Sequence, residues 1–323
     1  MNGQATPPGP VRAGRRPRVL VLGGSGHLGR HICGAFAAGG YEVLAISRGP
    51  GPAGVRSLRL DLAALPAAGL RRLIDAERPT AVINAAGAVW GSPARQQLVD
   101  SNVRLVERLV QAMAPLPFAP RLIHLGTTHE YGDIPAGARL TETTDCRPVS
   151  PYGETKLQAS RLVLGAAGEG RVDGLVLRLG NVFGPGMPPR SMLGGVTARL
   201  AEADRTRSPA TIELFTLSDR RDFLDVRDAA VAVLLAAQAD ATARVVNIGS
   251  GRAVQVRSLV LGLIEASGVP ARLVERRPAG PGERGRPDWQ EIDPRLAARL
   301  LRWHPRRGRD ETLRDMWESA RRR

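Results

Sequence analysis

Between residues 18 and 180, short apolar runs alternate with longer stretches in which apolar positions recur every three or four residues. The short runs, at 18–22, 42–46, 57–60, 81–84, 121–125 and 174–179, read as strands. The longer ones, at 27–38, 67–77, 94–114 and 151–166, read as helices. Strands that alternate with helices predict an α/β fold, a Rossmann-type doubly wound parallel sheet closed by right-handed crossovers. In the third helix Leu98, Leu105, Leu109 and Met113 share one face with a single polar exception, Asn102.

Beyond residue 180 the regularity weakens. An apolar helix at 226–238, a strand at 244–248 and helices near 254–266, 294–301 and 309–320 stand among Gly/Pro-rich loops, with no internal repeat. The expected organisation is a flexible basic tail at 1–17, a dinucleotide-binding domain at 18–180, and a smaller C-terminal substrate-binding lobe at 181–323. The lobe's elements interleave with the first domain.

Composition narrows the class without changing the fold. A chain of 323 residues, 43% hydrophobic, 24% charged and 4% aromatic, is globular rather than collagen-like, coiled-coil or wholly disordered. The longest apolar run, 229–237, falls far short of the ~20 residues that a membrane span needs. The net charge of +15 raises nucleic acid as a partner, but about half of it lies in the two tails. No base-stacking or zinc-finger apparatus is visible, so no nucleic-acid partner is expected. Cys33 and Cys146 read as reduced thiols, and the apolar run after Arg15-Arg16 is too short for an export signal. The expected location is cytoplasmic. His27, His31, His124, His129 and His304 show no ligand spacing, and no metal is expected.

Among 46 basic residues only Lys156 is a lysine. An ammonium on a flexible stem does what a guanidinium does not, so the position invites a chemical explanation, with drift in an Arg-rich chain as the plain alternative. Tyr152 stands four residues earlier, behind Pro151, which suits a first helical turn and puts the pair on one face. An ammonium about 4 Å from a phenol, at an effective dielectric near 20, would stabilise the phenolate by roughly 4 kcal/mol and make Tyr152 a usable acid/base. The bland reading is a surface Tyr and Lys. Residues 23–29, Gly-Gly-Ser-Gly-His-Leu-Gly, follow the first strand and open a helix, the context in which a pyrophosphate sits on a helix N-terminus. Gly23, Ser25, Gly26, His27, Leu28 and Gly29 are therefore expected at a dinucleotide. After the second strand an NAD site would carry an acid, but this chain has Ser47 and then Arg48, which favours NADP(H) over NAD(H). Thr127 and Thr128 lie just past the fifth strand, where a hydroxyl can bind the substrate oxygen that Tyr152 protonates.

These motifs, with Asn181-Val-Phe-Gly-Pro185-Gly, Arg220-Arg-Asp-Phe-Leu-Asp-Val-Arg-Asp228 and Val246-Asn-Ile-Gly-Ser-Gly251, resemble the extended short-chain dehydrogenase/reductase family in its nucleotide-sugar epimerase, dehydratase and reductase branch. The resemblance spans residues 18 to 305. It implies that Thr127, Tyr152 and Lys156 are catalytic, that Asp61 and Leu62 lie against adenine, and that Ala85, Ala86 and Gly87 run along the cofactor. It further implies that Asn102 anchors the active site and that Asn181 and Arg221 contact a sugar-nucleotide diphosphate, with Thr128 and His129 at the substrate. The bland role for Arg221 is a salt bridge to Asp222 or Asp225. Dehydratases of the family carry a carboxyl pair after the threonine; here Thr128 and His129 follow, with Glu130 one position along as a candidate survivor. The expected activity is NADPH-dependent reduction of a keto group, at C4, of a nucleotide-activated deoxysugar, with a homodimer a compatible assembly. A 4-epimerase with tightly held NAD(P) and a non-catalytic NADP(H)-binding regulator are the alternatives.

Overall fold

The computed structural model describes residues 16–87, 94–215, 217–276 and 289–322, so most of the tail at 1–17 lies outside the described residues. Its first half lays down β1 (Arg18–Leu22), α1 (His27–Ala38), β2 (Glu42–Ser47), β3 (Arg56–Arg59), α2 (Ala67–Glu77), β4 (Ala81–Asn84), α3 (Arg95–Leu98), α4 (Leu105–Met113), β5 (Arg121–Thr127), α5 (Pro151–Gly168) and β6 (Gly174–Leu179). The second half adds β7 (Asn181–Phe183), α6 (Met192–Thr206), β8 (Ala210–Phe215), β9 (Arg220–Asp225), α7 (Val226–Gln238), β10 (Arg244–Ile248), β11 (Ala253–Gln255), α8 (Val256–Ser267), β12 (Ala271–Arg276), α9 (Arg295–Leu301) and α10 (Arg309–Arg321).

Seven parallel strands form the central sheet in the order β10-β6-β5-β4-β1-β2-β3. Alternation along each strand divides the core between two faces. Val19 and Val21 of β1 pack with Ile32, Phe36, Ala229 and Val233 under α1 and α7, while Leu20 and Leu22 pack with Leu70, Leu109 and Val163 under α2, α4 and α5. The strand order reverses between β1 and β4, which opens a crevice at the carboxyl ends of the strands. The α/β doubly wound expectation is met. No helix among the described residues is long and apolar enough to cross a membrane.

Two departures are instructive. The helix expected at 94–114 is interrupted by a π-helical turn, Val99–Arg104, which carries the buried polar exception Asn102. After residue 180, β7, α6, β8, β9, β11 and β12 were not legible. They are short or half-exposed, and their apolar side faces a separate cluster of Leu193, Leu200, Ile212, Leu259, Leu313 and Trp317. Gly194 shows why the α6 pattern is obscure: a Cβ there would meet the Pro188 carbonyl oxygen at 2.1 Å, so packing demands glycine inside a helix.

The C-terminal segment is pinned by Asp228 on α7. Its Oδ2 accepts the Arg306 and Arg307 backbone N–H groups at 2.7 and 2.8 Å, Oδ1 meets Arg307 Nη1 at 2.8 Å, and its carbonyl accepts Trp303 Nε1. Asp228→Ala should lower unfolding free energy by about 2–3 kcal/mol, since buried donors lose their partners. Asp228→Asn, which keeps an acceptor, should cost less. Urea unfolding measures both, and equal losses would show that packing rather than these bonds holds the segment.

Candidate active site

The glycine turn at the end of β1 is forced by close approach. Gly23 has φ +81°, and a Cβ on it would lie 2.6 Å from the Ala85 carbonyl oxygen; one on Gly29 would lie 2.1 Å from the Gly23 carbonyl oxygen. Gly26 is the N-cap of α1 and offers no side-chain cap, so the first-turn N–H groups face the crevice. Gly49 approaches the Ser25 hydroxyl, which brings exposed Arg48 beside the same loop, with no ion pair to Arg48 among the described residues. Leu28 packs against the core, and His27 sits edge-on to His31 at 5.6 Å. Burial first, then His31, pulls the His27 ring down to about 4, so it is neutral at physiological pH. His31 Nε2 lies 3.0 Å from the Pro185 carbonyl oxygen, which ties the second lobe to the start of α1. Across the loop, Ala86 N–H donates to Asn84, Leu62 is buried, and exposed Asp61 caps Ala63 N–H. A Cβ on Gly87 would meet Asn102 Oδ1 at 2.8 Å. An uncapped helix start, glycines that admit backbone contact and a nearby guanidinium fit a dinucleotide. Gly23 to Gly29 would hold its pyrophosphate, and Arg48 a 2′-phosphate.

The three expected catalytic residues converge at the ends of β5 and α5. Thr127 is the last residue of β5 and caps the short turn Thr128–Glu130 reciprocally: its hydroxyl accepts His129 N–H at 3.4 Å, and Glu130 Oε1 accepts Thr127 N–H at 2.9 Å. Ser150 caps α5 through Gly153 N–H. Asn102 donates to Thr155 Oγ1 at 3.1 Å and so steadies the turn of α5 that carries Tyr152 and Lys156. Half-buried Tyr152 lies edge-on to His129 at 5.9 Å and within reach of the Thr127 side chain.

The electrostatics correct one expectation. The Tyr152 phenol is pushed up to about 12, by burial and then by the Glu130 charge, against a hydrogen bond from Thr127. Lys156 does not depress it. Its Nζ is buried and donates to the Leu125 carbonyl, and burial draws the ammonium down to about 8, opposed by Glu130. Spacing alone placed the pair on one helix face, but side-chain torsions turn the ammonium toward a backbone oxygen.

Three further positions differ from the sequence reading. Glu130 is no dehydratase-like carboxylate: it has no exposed surface and is held by Thr127 N–H, by Ser160 Oγ at 3.0 Å and by Arg178 Nε at 2.7 Å. Thr127-x-x-Glu130 is a capping-box spacing, the signal that could have revealed this role. Arg221 is paired, but with Asp219 rather than Asp222 or Asp225. The Asn181 amide donates to the Asp222 carbonyl at 3.0 Å and to Gln290 Oε1 at 2.9 Å. Buried Gln290, which also receives the Thr128 hydroxyl at 3.5 Å, reaches this wall from more than 100 residues away, and no sequence signal marked it.

The sequence pattern of the NAD dependent epimerase/dehydratase family matches residues 19–249. The chain is 43% identical over 302 residues to a dTDP-6-deoxy-L-talose 4-dehydrogenase (NAD(P)(+)) of Kitasatospora kifunensis, covering 93% of this chain and 94% of the relative. It is 27% identical over 266 residues to a GDP-6-deoxy-D-mannose reductase of Pseudomonas aeruginosa, covering 80% and 83%. Among solved structures, MoeE5 in complex with UDP-glucuronic acid and NAD superposes with a TM-score of 0.82 at 29% identity, over 94% of this chain and 99% of that one.

The buried ammonium makes a measurable demand on the fold. Its folded pKa lies below the ordinary value, so the unfolded chain binds more protons between about 8 and 10.5. The destabilisation, about 3 kcal/mol at most, is therefore fully present below pH 8 and fades as pH rises toward 10.5. Lys156→Met should be more stable than the wild type at pH 7, with the gap narrowing above pH 8. Thermal unfolding from pH 6 to 10 measures it, and a constant gap would show that the ammonium is not penalised by burial.

Proposed function

Because the chain belongs to the NAD dependent epimerase/dehydratase family and is an NAD(P)-dependent oxidoreductase acting on sugar nucleotides, we propose that it reduces the C4 keto group of a nucleotide-activated 6-deoxyhexose with NADPH. One observation carries the choice of reaction: the turn Thr128–Glu130 holds a single carboxylate, Glu130, which is sealed in the interior, while Thr128 is hydrogen-bonded to Gln290 and His129 packs edge-on to Tyr152. A phenol and a hydroxyl beside a turn whose one carboxylate is buried suit a ketone that takes up one hydride and one proton. Dehydrogenation and reduction at C4 are two directions of one hydride transfer, so the named activity of the Kitasatospora kifunensis relative accords with this reading.

When bound, the nicotinamide supplies the hydride that adds to the carbonyl carbon. Tyr152 Oη donates its proton to the carbonyl oxygen as negative charge develops there. A phenol held up at about 12 is fully protonated at neutral pH, the state that donation requires. The Thr127 hydroxyl positions the same oxygen, and its own backbone is held by Glu130. Lys156 is charged at pH 7 and, one turn along α5 from Tyr152, would hold the nicotinamide ribose. Arg221, held by Asp219, would meet the substrate diphosphate with its remaining donors. Both cysteines are free, which suits a reducing cytoplasm as the place of action.

The test is to incubate the protein with NADPH and a panel of nucleotide-4-keto-6-deoxyhexoses while following the reduced cofactor. Stoichiometric oxidation is expected. Sugar interconversion without net oxidation would make it an epimerase, and binding without turnover a regulator. Tyr152→Phe keeps the ring but removes the acid, so turnover should fall by roughly 10²–10⁴-fold with cofactor binding preserved. Arg48→Asp should weaken NADPH far more than NADH, as a carboxylate repels the 2′-phosphate. Equal losses for the two cofactors would remove the basis for an NADP preference.

A further inference from the structure

We propose that Glu130 is a positioning residue for this reduction: its buried carboxylate fixes the Thr127 backbone and, packed against Gly126, is the counter-charge to the Lys156 ammonium held at the adjacent Leu125 carbonyl. The geometry places it where no substrate can reach. Its side chain has no exposed surface, and its two oxygens are taken by donors from the three elements around the catalytic groups: Thr127 N–H at the end of β5, Ser160 Oγ on α5, and Arg178 Nε on β6. Ser160 lies one helical turn beyond Lys156, so one carboxylate ties together the strand end that carries Thr127 and the helix that carries Tyr152 and Lys156.

The surroundings are built around this carboxylate. A Cβ on Gly126 would lie 2.5 Å from Glu130 Oε1, so a glycine at that position makes room for it. Arg178 is fixed on its far side by the Tyr131 ring, 4.6 Å from its guanidinium carbon, and Tyr131 in turn donates to Asn247 Oδ1 at 2.7 Å. The charged or titratable groups facing Glu130 are Arg178 from β6, Lys156 and Tyr152 from α5, and the Cys146 thiol from the loop before α5. His124 on β5 also faces Lys156; burial holds it well below its ordinary value, so it adds no charge. Among these, the negative charge works in one direction. It favours the ammonium over the amine and the phenol over the phenolate, which is the proton-loaded pair that a reduction starts from.

The direction of this bias rests on the reduction proposed above, whereas the hold on Lys156 is measured without turnover. Because the chain has one lysine, protein grown on lysine labelled with ¹³C at Cε gives one side-chain signal, whose pH midpoint is that of Lys156. In Glu130→Gln the midpoint should fall by about one pH unit, roughly a tenfold loss of proton affinity. If the stranded Arg178 guanidinium prevents folding, Glu130→Gln with Arg178→Met removes that charge too and should give a smaller fall in the same direction, because a repelling cation leaves with the carboxylate. Ser160→Ala, which deletes one hydrogen bond but leaves the carboxylate, should leave the midpoint in place. In turnover, Glu130→Gln should lower kcat about tenfold with KM within twofold, and the alkaline limb of the pH profile should move down with the lysine midpoint. A lysine midpoint equal to the wild type in both Glu130 variants overturns the assignment. A lowered midpoint in a protein that oxidises no NADPH supports Glu130's role at Lys156 and counts against the reductase reading alone.

Discussion

A carboxylate with no exposed surface is tolerated only when each lone pair is engaged and a counter-charge lies beside it, and Glu130 meets both conditions. The arrangement around the site follows from that demand. Arg178 must extend along β6 to reach it, Gly126 must lack a side chain, Ser160 must present a hydroxyl from α5, and Thr127 must turn its N–H inward at the end of β5. Removing Arg178 would leave the buried carboxylate uncompensated, a loss of about 3–5 kcal/mol, so the constraint is rigid. The residues that satisfy Glu130 sit within a few positions of those proposed to touch substrate.

The parallel sheet explains why groups so distant in sequence meet. Every strand of the central sheet runs the same way, so the loops after β1, β4 and β5 emerge on one edge: the glycine turn, Ala85 to Gly87 and the Thr127 turn. The second lobe closes that edge from the other side. Pro185 reaches His31 on α1, and the backbone of the segment from Trp289 to Asp293 is laced to the Arg220 and Leu140 backbone and to the Asp222 carboxylate, which carries Gln290 to Asn181 and Thr128. The crevice is thus walled by the glycine turn, Ala85 to Gly87, the Thr127 turn, the stretch at Pro185 and the segment from Trp289 to Asp293, five separate stretches of chain.

Burial also gives a reason for one lysine among so many arginines. A guanidinium stays charged in almost any surroundings, whereas an ammonium responds to desolvation, and Lys156 sits at about 8. Its position just above neutral makes its charge sensitive to a neighbouring carboxylate. An arginine at 156 would carry a fixed charge and a bulkier planar fork at a buried position that holds a compact ammonium.

Local pattern determined much of this protein. Short apolar runs located all seven strands of the central sheet to within two residues, because a strand buried on both faces leaves an uninterrupted apolar signature; the exposed edge strand β3 is the exception. The glycine turn, Tyr152 with Lys156, and Thr127 were legible because the backbone conformation and helix spacing they need are properties of neighbouring residues. The capping box Thr127-x-x-Glu130 was equally local, though its carboxylate looked like a candidate for chemistry until burial showed otherwise. What tertiary structure alone decided were the quantities set by distant groups: the rise of the Tyr152 phenol, the choice of Asp219 as partner for Arg221, the engagement of the Asn181 amide by Gln290, and the half-exposed elements of the second lobe. Desolvation and long-range contact depend on what the whole chain brings to a point in space, and no spacing along the sequence carries that information.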